Sequence, residues 1–267
     1  MRKKAAEAAA PAAAQRVQKV LAAAGVGSRR EIERWIREAR LRVNGEVPSP
    51  GTKLERGDRV TFDGRVVHWR AAGGAESHVL LYHRSPGDAL DLKAATSRAA
   101  EQLRLPRSGG RWLAIQAMPP VDGGLEILTD DGAWADRVSR GAHALTVDYM
   151  LRMRGRLNDE LVAEFLAATD SEGEPMAILA AVATYGEGAN HWLNATVRAT
   201  RPAVVRHWWA ARGLIVGRLM RVRFGPIQLT RELPRGRSRA LTSAERGALL
   251  EEIAAAADAS SLEPSVA

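Results

Sequence analysis

Residues 16–47, RVQKVLAAAGVGSRREIERWIREARLRVNGEV, set the frame for the rest of the chain. Val17, Val20 and Leu21 recur at helical spacing and share one face. Gly25 and Gly27 end that helix. Ser28 then stands at an N-cap with Glu31 three positions on, the pattern of a capping box. Ile32, Trp35 and Ile36 give the second helix its apolar stripe, and Arg29, Arg30, Arg34, Arg37 and Arg40 surround it. LRV then runs into Asn44-Gly45, a strong signal for a two-residue hairpin turn. A second strand–turn–strand follows at VTFDGRVV (60–67), after a turn at Arg56-Gly57-Asp58. Two short helices and a set of small strands therefore make one compact unit.

Three pieces of this unit, RVQKVLAAAGVGSRREIERWI, RVNGEV and GDRV, together resemble the small alpha-L RNA-binding domain first described in a ribosomal protein, the S-four domain. Arginines at helical spacing make a ridge that can follow phosphates, with the Asn-Gly hairpin beside it. The alternative is a solvated charged helix, because Glu31, Glu33 and Glu38 share it with the arginines. The resemblance implies RNA contacts from Arg16, Lys19, Ser28, Arg29, Arg30, Arg34, Arg37, Arg42 and Asn44.

The bulk composition is consistent with such a partner. Formal net charge is +8 over 267 residues, and a surplus of that size favours a polyanion, since each phosphate contact releases counterions. An arginine-rich composition without any polyanionic partner is the competing explanation. Cys is absent, which excludes disulfides, thiol catalysis and Cys-ligated zinc. The six His show no metal-ligand spacing, so no metal site is expected. No apolar run approaches the ~18 residues that span a bilayer, and MRKKAAEAAAPAAA lacks the apolar core of a signal peptide. A cytoplasmic protein with no membrane partner is expected.

The chain divides by composition. Residues 1–14 read as a disordered basic tail, 15–69 as the small RNA-binding domain, 70–77 (RAAGGAES) as a Gly/Ala linker, 78–240 as a larger domain, and 241–267 as a C-terminal helix and tail, with Ser243 as the helix N-cap. In the larger domain HVLLYH, WLAIQAM, GLEILTDDG, LTVDYMLRMRG, NHWLNATVRA and LIVGRLMRVRFGPI read as strands. AWADRVSRG, DELVAEFLAA and PAVVRHWWAARG read as helices, the last closed by Gly213. The expected fold class is α+β.

Taken in order, GLEILTDDGAWADRV, VDYMLRMRG, NHWLNATV and GLIVGRLMRVRFGPIQL resemble the bacterial ribosomal-RNA pseudouridine synthases of the RsuA/RluB type, over about residues 78–240. The resemblance implies a mixed, largely antiparallel sheet flanked by helices, with an RNA cleft across the middle. It also implies an isomerase that flips a uracil into a pocket. There an Asp attacks the sugar or the base, the glycosidic bond breaks, and the base rotates and reattaches through carbon. A Tyr supports the flipped base, a basic residue holds the Asp charge, and no metal or organic cofactor takes part. The implied partner is structured RNA, ribosomal by family, bound by a monomer.

The chain departs from that pattern where the chemistry should be. The family's Asp closes a Gly-Arg-Leu-Asp segment five residues before the Gly of a Gly-Leu strand. Here that Gly is Gly124, and counting back lands on Pro119, within Gln116-Ala117-Met118-Pro119. Proline offers no acid, no nucleophile and no backbone N–H. The nearest carboxylate is Asp122. Three extended residues span up to about 10 Å, while catalysis tolerates roughly 1 Å of misplacement. Asp122 can therefore substitute only through a rebuilt loop; otherwise it is a turn residue of VDGG. The family's Lys-Pro-x-Gly reads Arg84-Ser85-Pro86-Gly87, and its Arg-Asn-Arg-Glu-Val-Arg-Arg run reads Arg201-Pro202-Ala203-Val204-Val205-Arg206-His207.

Tyr149 sits at the family's pocket Tyr, with a half-buried strand Tyr as the other reading. Arg201 and Arg206 survive from the arginine run, and Arg218, Arg221 and Arg223 are expected to face phosphate from their strand. His191 reads as a structural histidine, and at least one of Trp208 and Trp209 as core. Two functions lead: an RNA-binding protein with lost or impaired isomerase activity, or an active synthase using Asp122; a regulatory or assembly protein acting through protein partners has only the Ala-rich tails behind it. Convergence of Asp122, Tyr149 and Arg206 is the geometric sign of the second.

Overall fold

The computed structural model describes residues 15–262 apart from 25, 56, 68, 70–76, 89, 91, 93–102, 104, 107–110 and 186–189. The tail at 1–14, nearly all of the linker, Gly25, Arg56 and the last five residues lie outside the described residues. The chain forms two compact units, residues 1–77 with 107–111, and residues 78–106 with 112–267.

In the small unit α1 (Val17–Ala23) and α2 (Arg29–Arg37) pack beside short strands. The Ser28 side chain accepts from the Glu31 N–H, and the Glu31 carboxylate accepts from the Ser28 N–H. This is the capping box that the sequence spells. Strand β1 (Gln15–Arg16) pairs with β3 (Lys53–Leu54), and β2 (Leu41–Val43), β4 (Val60–Phe62) and β5 (Arg65–Val67) form a three-stranded antiparallel sheet. The turn after β2, closed by a Val43–Glu46 bridge, puts Asn44 and Gly45 at φ 53° and 92°, and the β4–β5 hairpin puts Asp63 and Gly64 at 49° and 77°. Positive φ at both central residues matches the twist of the flanking strands, which is why Asn-Gly and Asp-Gly stand there. Val17, Val20, Leu21, Ile32, Leu41, Leu54 and Val60 form the core.

The larger unit is built on one nine-stranded sheet. Its strands are β6 (Val79–Arg84), β7 (Leu113–Ile115), β8 (Gly123–Thr129), β9 (Thr146–Arg154), β10 (Ala177–Tyr185), β11 (Asn190–Arg198), β12 (Ile215–Phe224), β13 (Ile227–Gln228) and β14 (Ser238–Ala240). The order is β10-β11-β9-β12-β8-β6-β14, with β13 on β12 and β7 on β8. Among the described residues only the β12–β8 contact is parallel, so the sheet is mixed and largely antiparallel. Helices α3 (Gly132–Gly141), α4 (Asp159–Leu166), α5 (Pro202–Ala210) and α6 (Ser243–Leu262) accompany it. Leu249 of α6 lies in the same core as Tyr149, Leu151, Leu193, Trp208 and Trp209, so residues beyond 240 belong to this unit. Both tryptophans of the Trp208-Trp209 pair are buried. Strand β10 is alanine-rich and carries no pattern that marks it as a strand; its register with β11 makes it one.

Candidate functional site

The loop Gln116–Asp122 joins β7 to β8, the point where the family resemblance places a catalytic carboxylate. Two consecutive prolines, Pro119 and Pro120, leave it short of backbone donors. The Asp122 N–H donates to the Pro119 carbonyl at 2.9 Å, so Pro119–Asp122 is a turn. The rest of the loop is tied down by a buried charge cluster. In the sheet register Gly124 lies between Arg84 on β6 and Arg221 on β12. A Cβ on Gly124 would overlap the Arg221 backbone, so glycine is what lets the three strands close up there.

Two residues on, the Glu126 side chain sits between the two arginines, 3.3 Å from Arg84 Nε and 3.0 Å from Arg221 Nη2. All three side chains are buried. Arg84 Nη2 donates to the carbonyls of Met118 (2.9 Å), Pro119 (2.5 Å) and Asp122 (2.9 Å). Arg221 donates to the carbonyls of Leu125 and Gln116, both at 2.8 Å. Glu126 accepts from the Met118 N–H at 3.0 Å. Burial pushes the Glu126 carboxyl above its ordinary pKa, against the pull of Arg221, Arg84 and that N–H.

This corrects the expectation for Arg221. It is buried and committed to Glu126 and the loop, so it does not face phosphate. The β12 register runs unbroken from Arg218 to Arg221, so strand alternation puts Arg221 on the Tyr149 side of the sheet, and a bulge between Arg221 and Arg223 puts Arg223 on the opposite side. Arg223 is half-buried and held by Asp148 at 2.6 and 2.7 Å, so it too has an internal partner. Arg218 is half-buried on that opposite side. No motif in the sequence marks Arg84 and Glu126 for this role. The one signal is a lone acid inside the apolar run GLEILT.

Of the three residues tested for convergence, two meet. Arg206 Nε donates to Asp122 Oδ1 at 3.1 Å and its Nη2 to the same oxygen, while Nη1 donates to the Val216 carbonyl. Asp122 is 0% exposed, and its Oδ2 has no hydrogen-bond partner among the described residues. Tyr149 lies close enough that the Asp122 charge adds to the burial that pushes its phenol up to about 12, but its hydroxyl donates to the Thr200 carbonyl at 3.3 Å. Arg206 also lines a shallow cleft of about 310 Å³ with Ala210, Gly213, Leu214, Ile215 and Val216. Arg201 is exposed at the start of α5.

On the small unit, Arg16, Lys19, Arg29, Arg30, Arg34, Arg37 and Arg42 are all exposed. Arg34 has a long pairing with Glu38 at 3.9 Å, and Arg42 reaches the Gly45 carbonyl at 3.0 Å. Two expected RNA contacts have structural work instead. The Ser28 hydroxyl is the α2 cap. The Asn44 amide donates to Asp58 and accepts from the Arg59 N–H, both at 2.9 Å, tying the hairpin to the Glu55–Arg59 turn. His191 is buried with Nε2 on the Gly155 carbonyl, a structural position. No group of three metal-ligating side chains occurs among the described residues.

Comparison with known proteins agrees with this architecture. Residues 15–60 match the S4 domain family. The ribosomal large subunit pseudouridine synthase B of Pseudomonas aeruginosa is 36% identical over 241 residues, which is 90% of this chain but only 62% of that protein's length. The proteins of the same name from Escherichia coli strain K12 and Yersinia pestis are 34% and 33% identical over 225 residues, covering 83% of this chain and 77% and 71% of theirs. A crystal structure of a pseudouridylate synthase superposes with a TM-score of 0.55 at 20% identity, over 87% of this chain and 98% of that one, and shows the shared fold. The chain belongs to the ribosomal-RNA pseudouridine synthase family of the RsuA/RluB type, with an N-terminal S4 domain.

Proposed function

We propose that this chain binds structured ribosomal RNA as a monomer and that its isomerase activity is lost or impaired. One observation carries the reading. Where the family keeps its carboxylate, Pro119 presents only a carbonyl, and that carbonyl is occupied by Arg84. The nearest carboxylate, Asp122, has no exposed surface and spends Oδ1 on Arg206. A group that must touch the sugar or base cannot do so from that position, and a nucleophile is the one part of this chemistry that scaffold cannot replace. The exposed arginines of α2 and Arg201 supply phosphate contacts that need no catalytic group.

A second reading has its own support. Arg206 holds Asp122 near enough to Tyr149 for its charge to act on the phenol, the same three residue types that the family chemistry uses, and Asp122 Oδ2 is left without a partner among the described residues. In that reading the chain is an active synthase whose carboxylate has moved three positions and is uncovered when RNA displaces Arg206. The Asp122→Asn variant separates the two. If RNA affinity holds and uridine isomerisation is absent in both wild type and variant, the first reading stands. Isomerisation in the wild type that is abolished in the variant overturns it in favour of the second. Neither reading calls on a metal or organic cofactor, and the expected compartment is the cytoplasm.

A further inference from the structure

The sheet of the larger unit has two unlike faces. Tyr149, Leu151, Leu193, Val197, Leu219 and Arg221 point to the side packed by the helices. The strand register puts a different set on the other side. Thr184, Trp192, Arg152 and Arg218 lie in one row across β10, β11, β9 and β12. Val182, Asn194 and Met150 make the row beside it, and Asn190, Arg154 and Ile215 the row beyond. This side is open. Val182 is 62% and Ile215 66% exposed, and Arg152, Arg154, Asn190, Asn194 and Arg198 are exposed as well.

Its charge is one-sided. Asp148 is the single acid on the four strands, and it is already taken by Arg223 and by the Thr196 hydroxyl at 2.7 Å. Arg152, Arg154, Arg198 and Arg218 have no ion pair among the described residues. Trp192 lies half-buried among them with no ring partner among the described residues. This face offers free guanidiniums around an indole and exposed aliphatic side chains, with amide side chains that can donate and accept.

We infer that this face, opposite the Asp122–Arg206 pair, is a second RNA contact surface that takes an unpaired, single-stranded segment. Bases stack on Trp192, and phosphates lie along Arg152, Arg154 and Arg218. The spacing suits that partner. Arg152 and Arg154 are two residues apart on one strand, about 6.6 Å, and Arg218 is one strand over, about 4.8 Å. A duplex keeps its bases stacked inward and would leave Trp192 unused, whereas a single strand offers every base face to it. The inference rests on RNA binding but not on whether uridine is isomerised, because the strand register puts Trp192, Arg152, Arg154 and Arg218 on the face away from Tyr149.

The test measures the affinity of the full chain for a labelled oligouridylate by fluorescence anisotropy across a salt series. Arg152→Glu with Arg154→Glu is expected to weaken binding at least about tenfold and to reduce the logarithmic salt slope by about 1.4, two single-strand phosphate contacts. A control with the same charge change, Arg231→Glu with Arg235→Glu at two exposed sites, is expected to cost roughly twofold or less, because screened charges beyond the contact add little. Trp192→Leu should weaken binding roughly fivefold or more while Trp192→Phe, which keeps a ring, retains most of it. Equal losses from the two charge pairs, or no change in Trp192→Leu, would overturn the proposal.

Discussion

Two sets of arginines in this chain have opposite surroundings. On α2, Arg29, Arg30, Arg34 and Arg37 stand exposed on a capped helix. In the larger unit Arg84 and Arg221 are sealed around Glu126, and Arg206 is drawn onto Asp122. The first set can meet phosphate; the second is spent on shaping a loop. The residue type is the same, so the difference lies in what the backbone places next to it. A helix side chain that leaves the apolar stripe reaches water. A strand side chain on the packed face must bring a carboxylate and carbonyls with it, or it leaves a buried charge unpaired. A basic motif in the sequence therefore locates an RNA surface only when its burial is known.

Breaking the buried set should have the largest effect. Glu126→Leu leaves the guanidiniums of Arg84 and Arg221 facing each other without an acid, and is expected to cost about 3–5 kcal/mol of stability in chemical denaturation. A loss below about 1 kcal/mol would mean that the cluster does not hold the loop. The exposed set should respond in the reverse sense. Arg30→Ala with Arg34→Ala is expected to leave the melting temperature within error and to reduce the salt slope of binding to a structured RNA by about 1.8, two phosphate contacts. An unchanged slope would make α2 a solvated helix rather than an RNA ridge.

Smaller effects sharpen the contrast. Ser28→Ala removes the cap that holds α2 and should destabilise the small unit by about 1 kcal/mol. If RNA affinity falls far more than that loss of stability explains, the hydroxyl also touches RNA. The smallest effect is a pH response at the exposed end of the scale. Arg239 and the Thr242 N–H hold the Glu245 carboxyl down to about 2. Its depressed pKa contributes stability above the ordinary glutamate value of about 4.3, and that contribution is lost as pH falls toward 2. The pair is partly exposed and screened by solvent, so the expected amount is under about 1 kcal/mol. Glu245→Gln should flatten the acid limb of the stability curve by that amount, and an unchanged limb would show that the pair contributes nothing.

The sequence is most legible where local chemistry decides the structure. Ser28 with Glu31, Asn44-Gly45 and Asp63-Gly64 each name their own turn or cap, and the structure places all of them as read. Legibility fails where a partner strand decides. The alanine-rich β10 is a strand because β11 lies beside it. Arg221 and Arg223 point to opposite faces because of a bulge that no spacing rule reveals. The gap at Pro119 is visible from the motif alone, and so is Asp122 as the nearest acid. That Arg206 would reach Asp122, and that Glu126 would anchor the same loop from below, depends on contacts 84 and 8 residues apart in the chain.

The central claim concerns chemistry and has a direct measurement. A ribosomal RNA transcript incubated with the purified wild-type chain, under conditions where binding is saturated, can be mapped for pseudouridine at single-nucleotide resolution. The account predicts bound RNA with no uridine converted above the protein-free background. A single site converted to completion by the wild-type chain would contradict it and return Asp122 to the role of catalytic carboxylate.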